Sequence, residues 1–343
     1  MNTRVFALLG VCIAIALTGC NQGLPPAQQG EGNLPTKSLG TIGMTCMDLS
    51  NPFFRLIADV MTEEAKQAGF DMICLDGEYN ADKQNTQLGD FAARRCAAVF
   101  LNPVDSNAAG AGVKRAHEAG IPVFTFDVQV TEPEAAEIVV SHIGSDNYQG
   151  GRLAGESMIR ATGDKGKIAI ITYPEVTSCQ LRVKGFRDLL VEKKSRLEIV
   201  SELSGRGNIN DALNTATDLL QSHGEIVGIF AINDPSARGS YTAVKTANKQ
   251  GQVVIIGFDA SPEGKEAVFE KKLYDTPRQF PRKMAAGTVS AFRRYLNGEQ
   301  VEKQVFIPCS HYTFEDAEKD TARSQWWPGI DRAHRRTHSA RAH

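Results

Sequence analysis

One pattern recurs along most of this 343-residue chain: a short β-branched run, a polar turn, then a segment whose apolar residues return at helical spacing. Residues 39–46 read as a strand. Residues 52–68 read as a helix in which Phe53, Leu56, Ile57, Val60 and Met61 share one face, with Glu63, Glu64 and Lys66 on the other. Strands at 71–75, 97–101 and 122–126 and helices at 82–93 and 106–119 continue the alternation. A second series begins after Ser141-His142-Ile143, with helices at 148–161, 178–191, 209–222, 235–249 and 262–270 and strands at 167–172, 197–203, 226–232 and 253–258. A helix between two strands carries the chain back to start the next strand in the same direction, so the sheets are expected to be parallel and covered by helices on both faces. Two series of similar size define an α/β chain with two doubly wound parallel-sheet lobes.

In such sheets ligands bind beyond the carboxyl ends of the strands. Those positions read Met47-Asp48 and Asn51-Pro52-Phe53-Phe54, then Asn102-Pro103, Asp127, Tyr173, Asn233-Asp234 and Asp259. Amides and carboxylates pair with hydroxyl groups, and aromatic faces cover the C–H faces of a ring, so the set suits a sugar or polyol. Asn and Asp after a strand also cap the following helix. Capping accounts for one such residue more readily than for six at the same rim of two lobes.

Catalytic patterns are missing from the sequence. It has no Gly-x-Ser-x-Gly elbow, no P-loop lysine, no His-Glu-x-x-His and no Gly-x-Gly-x-x-Gly after a strand. Gly150-Gly151 and Gly205-Arg206-Gly207 read as turns or helix starts. His117 and His223 fall on helix surfaces, while His142 and His311 flank crossovers, none with an obvious Cys or Ser partner. Cys46, Cys74, Cys96, Cys179 and Cys309 are scattered and lack Cys-x-x-Cys spacing, so buried free thiols are expected, with a Cys46–Cys74 disulfide as the alternative. No metal, cofactor or enzymatic activity is expected. Thirty-eight Lys and Arg against forty Asp and Glu give a net charge of −2, which offers nucleic acid no attraction.

The ends differ from the body. Arg4 precedes an apolar run over 5–17, shorter than the ~20 residues that span a bilayer, as in a secretory signal. Leu17-Thr18-Gly19-Cys20 follows and resembles the bacterial lipobox. Residues 1–19 are therefore expected to be a lipoprotein signal peptide, Cys20 the lipidated first mature residue, and 20–37, rich in Gly, Pro, Gln and Asn, a flexible tether. Residues 323–343 hold five arginines and three histidines, so 322–343 reads as a basic disordered tail.

The body also resembles a family, the periplasmic sugar-binding proteins of the ribose-binding type, from about Ser38 to Lys319. Ser50-Asn51-Pro52-Phe53-Phe54, Leu101-Asn102-Pro103-Val104-Asp105-Ser106, Ser145-Asp146-Asn147, Ala231-Ile232-Asn233-Asp234, Ile256-Gly257-Phe258-Asp259 and Gln279-Phe280-Pro281 carry the likeness, in order and spacing. It implies two lobes joined by a three-segment hinge, with crossovers near Ile143, Gln279 and Pro308. Residues 38–143 plus 280–308 would form the N-terminal lobe, and 144–279 plus 309–321 the C-terminal lobe.

The resemblance implies ligand contacts at Asn51, Phe53, Phe54, Asn102, Asp127, Asn233, Phe258, Asp259 and Gln279. Four positions depart from the ribose pattern: Met47 for a serine, Val128 and Gln180 for arginines, and Gly207 for an aromatic. Gln180 is still expected at the ligand, and Arg206 is the cation expected to fill the space beside Gly207. The expected ligand is thus a small neutral sugar or polyol other than ribose. The implied protein is a monomeric, periplasmic or cell-surface lipoprotein that hands its ligand to an ABC permease. A sugar-sensing subunit that reports to a membrane kinase or chemoreceptor is the alternative. A repressor with the same effector domain would begin with a basic helix-turn-helix, not with an export signal.

Overall fold

The computed structural model describes residues 38–326. The expected signal peptide, Cys20, the tether and the tail beyond residue 326 lie outside these residues. The first series comprises β1 (Thr41–Cys46), α1 (Pro52–Gln67), β2 (Asp71–Asp76), α2 (Ala81–Ala93), β3 (Ala98–Leu101), α3 (Gly110–Glu118), β4 (Val123–Phe126), α4 (Pro133–Ile138) and β5 (Ser141–Ser145). The second comprises α5 (Asn147–Thr162), β6 (Lys165–Thr172), α6 (Thr177–Glu192), β7 (Arg196–Ser204), α7 (Ile209–Ser222), β8 (Ile226–Ala231), α8 (Asp234–Thr246), β9 (Val254–Ile256) and α9 (Pro262–Phe269). Then follow α10 (Pro281–Leu296), β10 (Gln304–Ile307) and α11 (Phe314–Lys319). The sequence pattern did not indicate α4, α10, β10 or α11.

The strands form two parallel sheets, ordered β10-β5-β4-β3-β1-β2 and β7-β6-β8-β9. In each, the first strand of its series has the second on one side and the third on the other. Each sheet therefore has a switch point, between β1 and β3 in one lobe and between β6 and β8 in the other, and crevices open at the carboxyl ends of these strands. The central strands β3 and β4 (AVFL and VFTF) are buried throughout, as parallel strands covered on both faces must be.

The chain passes to the second lobe after Ser145, returns through 275–281, and crosses again between Ile307 and Ser310. The last two passages are joined by a bridge between Arg278 and Ser310. Packing explains why α10 belongs to the first lobe. The Phe292 ring lies 5.1 Å from Phe70, 5.8 Å from Phe100 and 5.9 Å from Phe124, all edge-on, in a buried aromatic cluster beneath that sheet. Truncating a phenylalanine buried this way typically costs ~3–5 kcal/mol. In the second lobe Phe186 stacks on Phe230 at 4.7 Å.

Gly150-Gly151 lies in the opening turns of α5, a helix start and not a turn, where α5 meets α6. A Cβ on Gly151 would lie 2.0 Å from the Arg182 carbonyl oxygen, and one on Gly185 would lie 2.0 Å from that of Tyr148. The two helix backbones touch at these glycines, and that close approach fixes where Arg182 projects. All five described cysteines are free thiols, although β1 and β2 are neighbours and pair Met44 with Cys74.

Candidate functional site

The carboxyl ends of the two sheets face each other across a narrow cleft. The first lobe lines it with Met47, Asn51, Phe53, Phe54, Tyr79 and Asp127. The second supplies Tyr173, Cys179, Arg182, Ile232, Asn233 and Asp259, and Gln279 comes from a passage between the lobes.

Direct bonds join the lobes beside this cleft. Ser106 N donates to the Glu175 carbonyl (3.1 Å) and Tyr173 Oη to the Val104 carbonyl (3.2 Å). Thr177 N donates to Ser106 Oγ (3.0 Å), and Gln129 N to Thr177 Oγ1 (3.1 Å). Val176, at the N-cap of α6, offers no capping side chain, so the facing lobe satisfies one of the helix's first-turn amides. The lobes are closed.

Each carboxylate is held by a different device. Asn102 Oδ1 accepts from Met47 N (3.1 Å), and its Nδ2 donates to Asp127 Oδ2 (3.1 Å). Asn102 thus ties the ends of β1, β3 and β4 together and aims Asp127; it does not line the cleft itself. Asp127 Oδ1 is buried and has no partner among the described residues. Burial raises the Asp127 carboxyl to about 6 against the pull of Arg182 and of the Asn102 amide.

On the second lobe, Asp259 Oδ1 accepts from Gln279 Nε2 (2.7 Å) and lies 3.6 Å from Arg182 Nη1. Burial pushes the Asp259 carboxyl up as well, and Arg182 opposes it. Gln279 Oε1 is a second buried acceptor with no partner among the described residues. Both aspartates adopt positive φ, +60° at Asp127 and +116° at Asp259, a strained backbone of the kind found at ligand sites.

Asn51 and Asn233 line the cleft and also cap helices. Asn51 Oδ1 accepts from Phe53 N (3.0 Å), and Asn233 Oδ1 from Ser236 N (2.9 Å) while its Nδ2 holds the Gly207 carbonyl (2.8 Å). Capping and cleft lining coexist in the same residues. Phe258 is buried beneath Arg182, whose guanidinium sits 3.9 Å from the ring centroid. Phe258 therefore supports the cleft wall from behind.

Two expected site residues are elsewhere. Gln180 is exposed, donates to the Pro174 carbonyl (2.7 Å) and does not line the cleft. Arg206 also points outward, 59 % exposed and 3.9 Å from Asp211. The cation in the cleft is Arg182, whose Nε donates to Asn147 Oδ1 (2.8 Å) and Nη1 to the Ile232 carbonyl (2.7 Å). Arg182 is not among the polar residues that follow strands, because it sits inside a helix. Its signal was an arginine on the apolar stripe Cys179, Val183, Phe186 and Leu190. Tyr79 was missed too; it follows β2, at φ +53°.

His311 does have a serine neighbour, with its Nδ1 3.4 Å from Ser157 Oγ. Ser157, however, donates to Asp275, which also takes His311 Nδ1 at 2.6 Å, so the carboxylate holds both and no activated nucleophile results.

Two parallel-sheet lobes that meet at a polar cleft, with a buried carboxylate on either side and a guanidinium between, are the architecture of a solute-binding protein. The chain belongs to the periplasmic binding protein family, ribose type: the family's "Periplasmic binding protein domain" matches residues 42–300. It is a binding protein of the extracytoplasmic space, not an enzyme. The ribose import binding protein of Escherichia coli (strain K12) is 35 % identical over 263 residues, 76 % of this chain and 86 % of that protein. The D-apiose import binding protein of Paraburkholderia graminis is 32 % identical over 273 residues, 78 % of this chain and 86 % of that one. Among solved structures, an ABC transporter periplasmic solute-binding protein from Actinobacillus succinogenes with bound D-allose matches with a TM-score of 0.75 and 28 % identity. That match covers 82 % of this chain and 100 % of the other. One from Bacillus halodurans with bound myo-inositol matches with a TM-score of 0.76 and 27 % identity, covering 84 % and 99 %.

Proposed function

We propose that this protein captures one small neutral sugar or polyol between its closing lobes and delivers it to an ABC permease, while tethered to the membrane through lipid on Cys20. The observation that carries the ligand class is the pair of buried, unpartnered acceptors, Asp127 Oδ1 and Gln279 Oε1, set in the same cleft as the Arg182 guanidinium. A ring that presents hydroxyl hydrogens to the acceptors and a hydroxyl oxygen to the arginine satisfies all three, and Phe53 and Phe54 offer it apolar surface. An anion is disfavoured because two carboxylates face one guanidinium.

Arg182 also changes the argument about ribose. The expected exclusion rested on four departures, two of them missing arginines; Arg182 in the cleft offsets the one at Gln180, while Met47, Val128 and Gly207 remain. D-ribose therefore belongs in the test panel with D-apiose, D-allose, D-fucose and myo-inositol. Thermal-shift titration of the soluble body against this panel tests the reading. A ligand at 100 times its Kd adds ~2.7 kcal/mol of stability and raises the Tm. A panel without a shift, extended to common hexoses and polyols, would remove the sugar reading.

A further inference from the structure

The expected disordered tail does not begin at 322. Residues 320–326 are fastened to the second lobe by a buried lysine. Lys265 on α9, with its side chain 1 % exposed, reaches Asp320 Oδ2 at 3.0 Å and also donates to the Gln325 carbonyl. Tyr312 Oη donates to the same Asp320 oxygen (3.0 Å). Arg323 donates to the Ala317 (2.6 Å) and Asp320 (2.9 Å) carbonyls, and its guanidinium lies 3.7 Å from the Phe269 ring centroid. A lysine ammonium is rarely buried unless several acceptors hold it, so this segment is built in and does not merely trail from the lobe.

The segment ends on the other lobe. The Trp326 ring meets Phe53 of α1 edge-on, with centroids 5.7 Å apart. Phe53 itself lines the ligand cleft and packs edge-on against Phe54 at 5.2 Å. Trp326 also lines the mouth outside that cleft, with Asn51 and Phe53 from one lobe and Gly207, Asn208 and Pro235 from the other. A side chain anchored to one lobe and resting on the other bridges the opening through which a ligand enters.

We propose that residues 320–326 form a strap and that Trp326 is a positioning residue: by packing on Phe53 it favours the closed state and slows escape of the bound ligand. The ligand-release part rests on the sugar-binding reading; the contact itself does not call on the ligand. Opening the hinge separates the second lobe from Phe53, so the contact is made only on closure. An interaction confined to the closed state raises the closed population and lowers the apparent Kd by the same factor. An aromatic pair of this kind corresponds to roughly a two- to tenfold effect.

The test uses full-length mature protein with Trp326→Ala, Trp326→Phe and wild type, and whichever of D-ribose, D-allose and myo-inositol binds the wild type. Stopped-flow release should be two- to tenfold faster for Trp326→Ala and closer to wild type for Trp326→Phe, with association nearly unchanged. The ligand-free Tm should stay within a degree or two. Release within experimental error of wild type, whether or not the Tm falls, would overturn the strap.

A second arm needs no sugar. In a Trp327→Phe background the remaining tryptophan is Trp326, and Phe53→Ala, or Phe53→Leu if the former folds poorly, should raise its quenching by acrylamide. Unchanged quenching would likewise overturn the proposal. If no sugar binds the wild type, the sugar reading is what fails, and the quenching arm decides the strap alone.

Discussion

Arg182 Nη1 lies 3.6 Å from Asp259 Oδ1, and both side chains are more than nine-tenths buried. A buried ion pair contributes little net stability, because desolvation offsets its attraction. Its place in the cleft wall therefore points to ligand recognition: Arg182 keeps a buried carboxylate ionisable and holds a rigid, pre-aimed set of donors. Arg182→Ala should weaken sugar binding more than tenfold by calorimetry. It should also lower stability by roughly 3–5 kcal/mol, because Asp259 is left buried without its cation. Arg182→Lys restores the charge but not the planar fork, so it should recover stability better than affinity.

Asp127 links stability to pH. Its folded carboxyl is raised to about 6 from an ordinary 3.8, mainly by burial. Between those values the folded protein holds a proton that the unfolded chain has released, so stability falls as pH rises from about 4 to about 6 and then levels. Asp127→Asn should remove that slope and make the ligand-free protein more stable at pH 7, by on the order of 3 kcal/mol. It should bind sugar worse, because the charged acceptor is gone. Melting curves at pH 4.5 and 7 for both proteins check the sign; a variant less stable than wild type at pH 7 would contradict it.

Closure should be visible in solution. Thr177 Oγ1 accepts from Gln129 N and lies 3.4 Å from Ser106 Oγ, across the two lobes. Thr177→Val keeps the volume and removes these bonds, each worth ~0.5–1.5 kcal/mol net. Small-angle scattering should show a smaller radius of gyration for wild type at saturating sugar, and a larger one for ligand-free Thr177→Val than for ligand-free wild type. Its Kd should rise a few-fold. Identical scattering with and without ligand would mean that the hinge does not move.

The sequence made the fold legible because parallel sheets write themselves as alternating runs, and because the strand ends that face a cleft are polar. Asn51, Asp127, Asn233 and Asp259 line the cleft as their positions after strands suggested, and Gln279 lines it as the family resemblance implied. What strand-end reasoning left unread lay outside its reach. Arg182 enters from a helix through the Gly151–Gly185 approach, a tertiary contact with no local pattern. Gln180 was placed at the ligand two residues out of register, and on a helix two residues turn a side chain by about 200°. Arg206 was expected to turn inward beside Gly207, but Asp211 lies on its outer side. The strap was hidden because Lys265 and Asp320 are far apart in sequence and each looks like an ordinary surface charge.

Membrane attachment is tested at Cys20. With the lipid in place, the mature protein should sediment with membranes and extract only into detergent. Cys20→Ser should release it to the soluble periplasmic fraction or leave an uncleaved precursor. Fractionation followed by intact-mass analysis checks both, and an unmodified wild-type protein in the soluble fraction would dispose of the anchor.

The sharpest prediction concerns Asp259, which lines the cleft and joins the second lobe to the hinge passage. Its Oδ1 accepts from Gln279 Nε2 at 2.7 Å, and Gln279 Oε1 is a buried acceptor with no partner among the described residues. Removing the carboxylate takes away a ligand acceptor, loosens Gln279 and leaves the buried Arg182 unpaired. Hydrogen bonds to charged groups contribute ~1.5–3 kcal/mol, or roughly 10- to 150-fold in affinity. Asp259→Ala should therefore weaken binding at least tenfold. Asp259→Asn, which keeps the shape and an acceptor for Gln279, should lie between it and wild type. Glu63→Ala, on the exposed face of α1, should bind as wild type does. Calorimetry with the sugar that gives the largest thermal shift measures all three, and an Asp259→Ala protein of unchanged affinity would place the ligand somewhere other than this cleft.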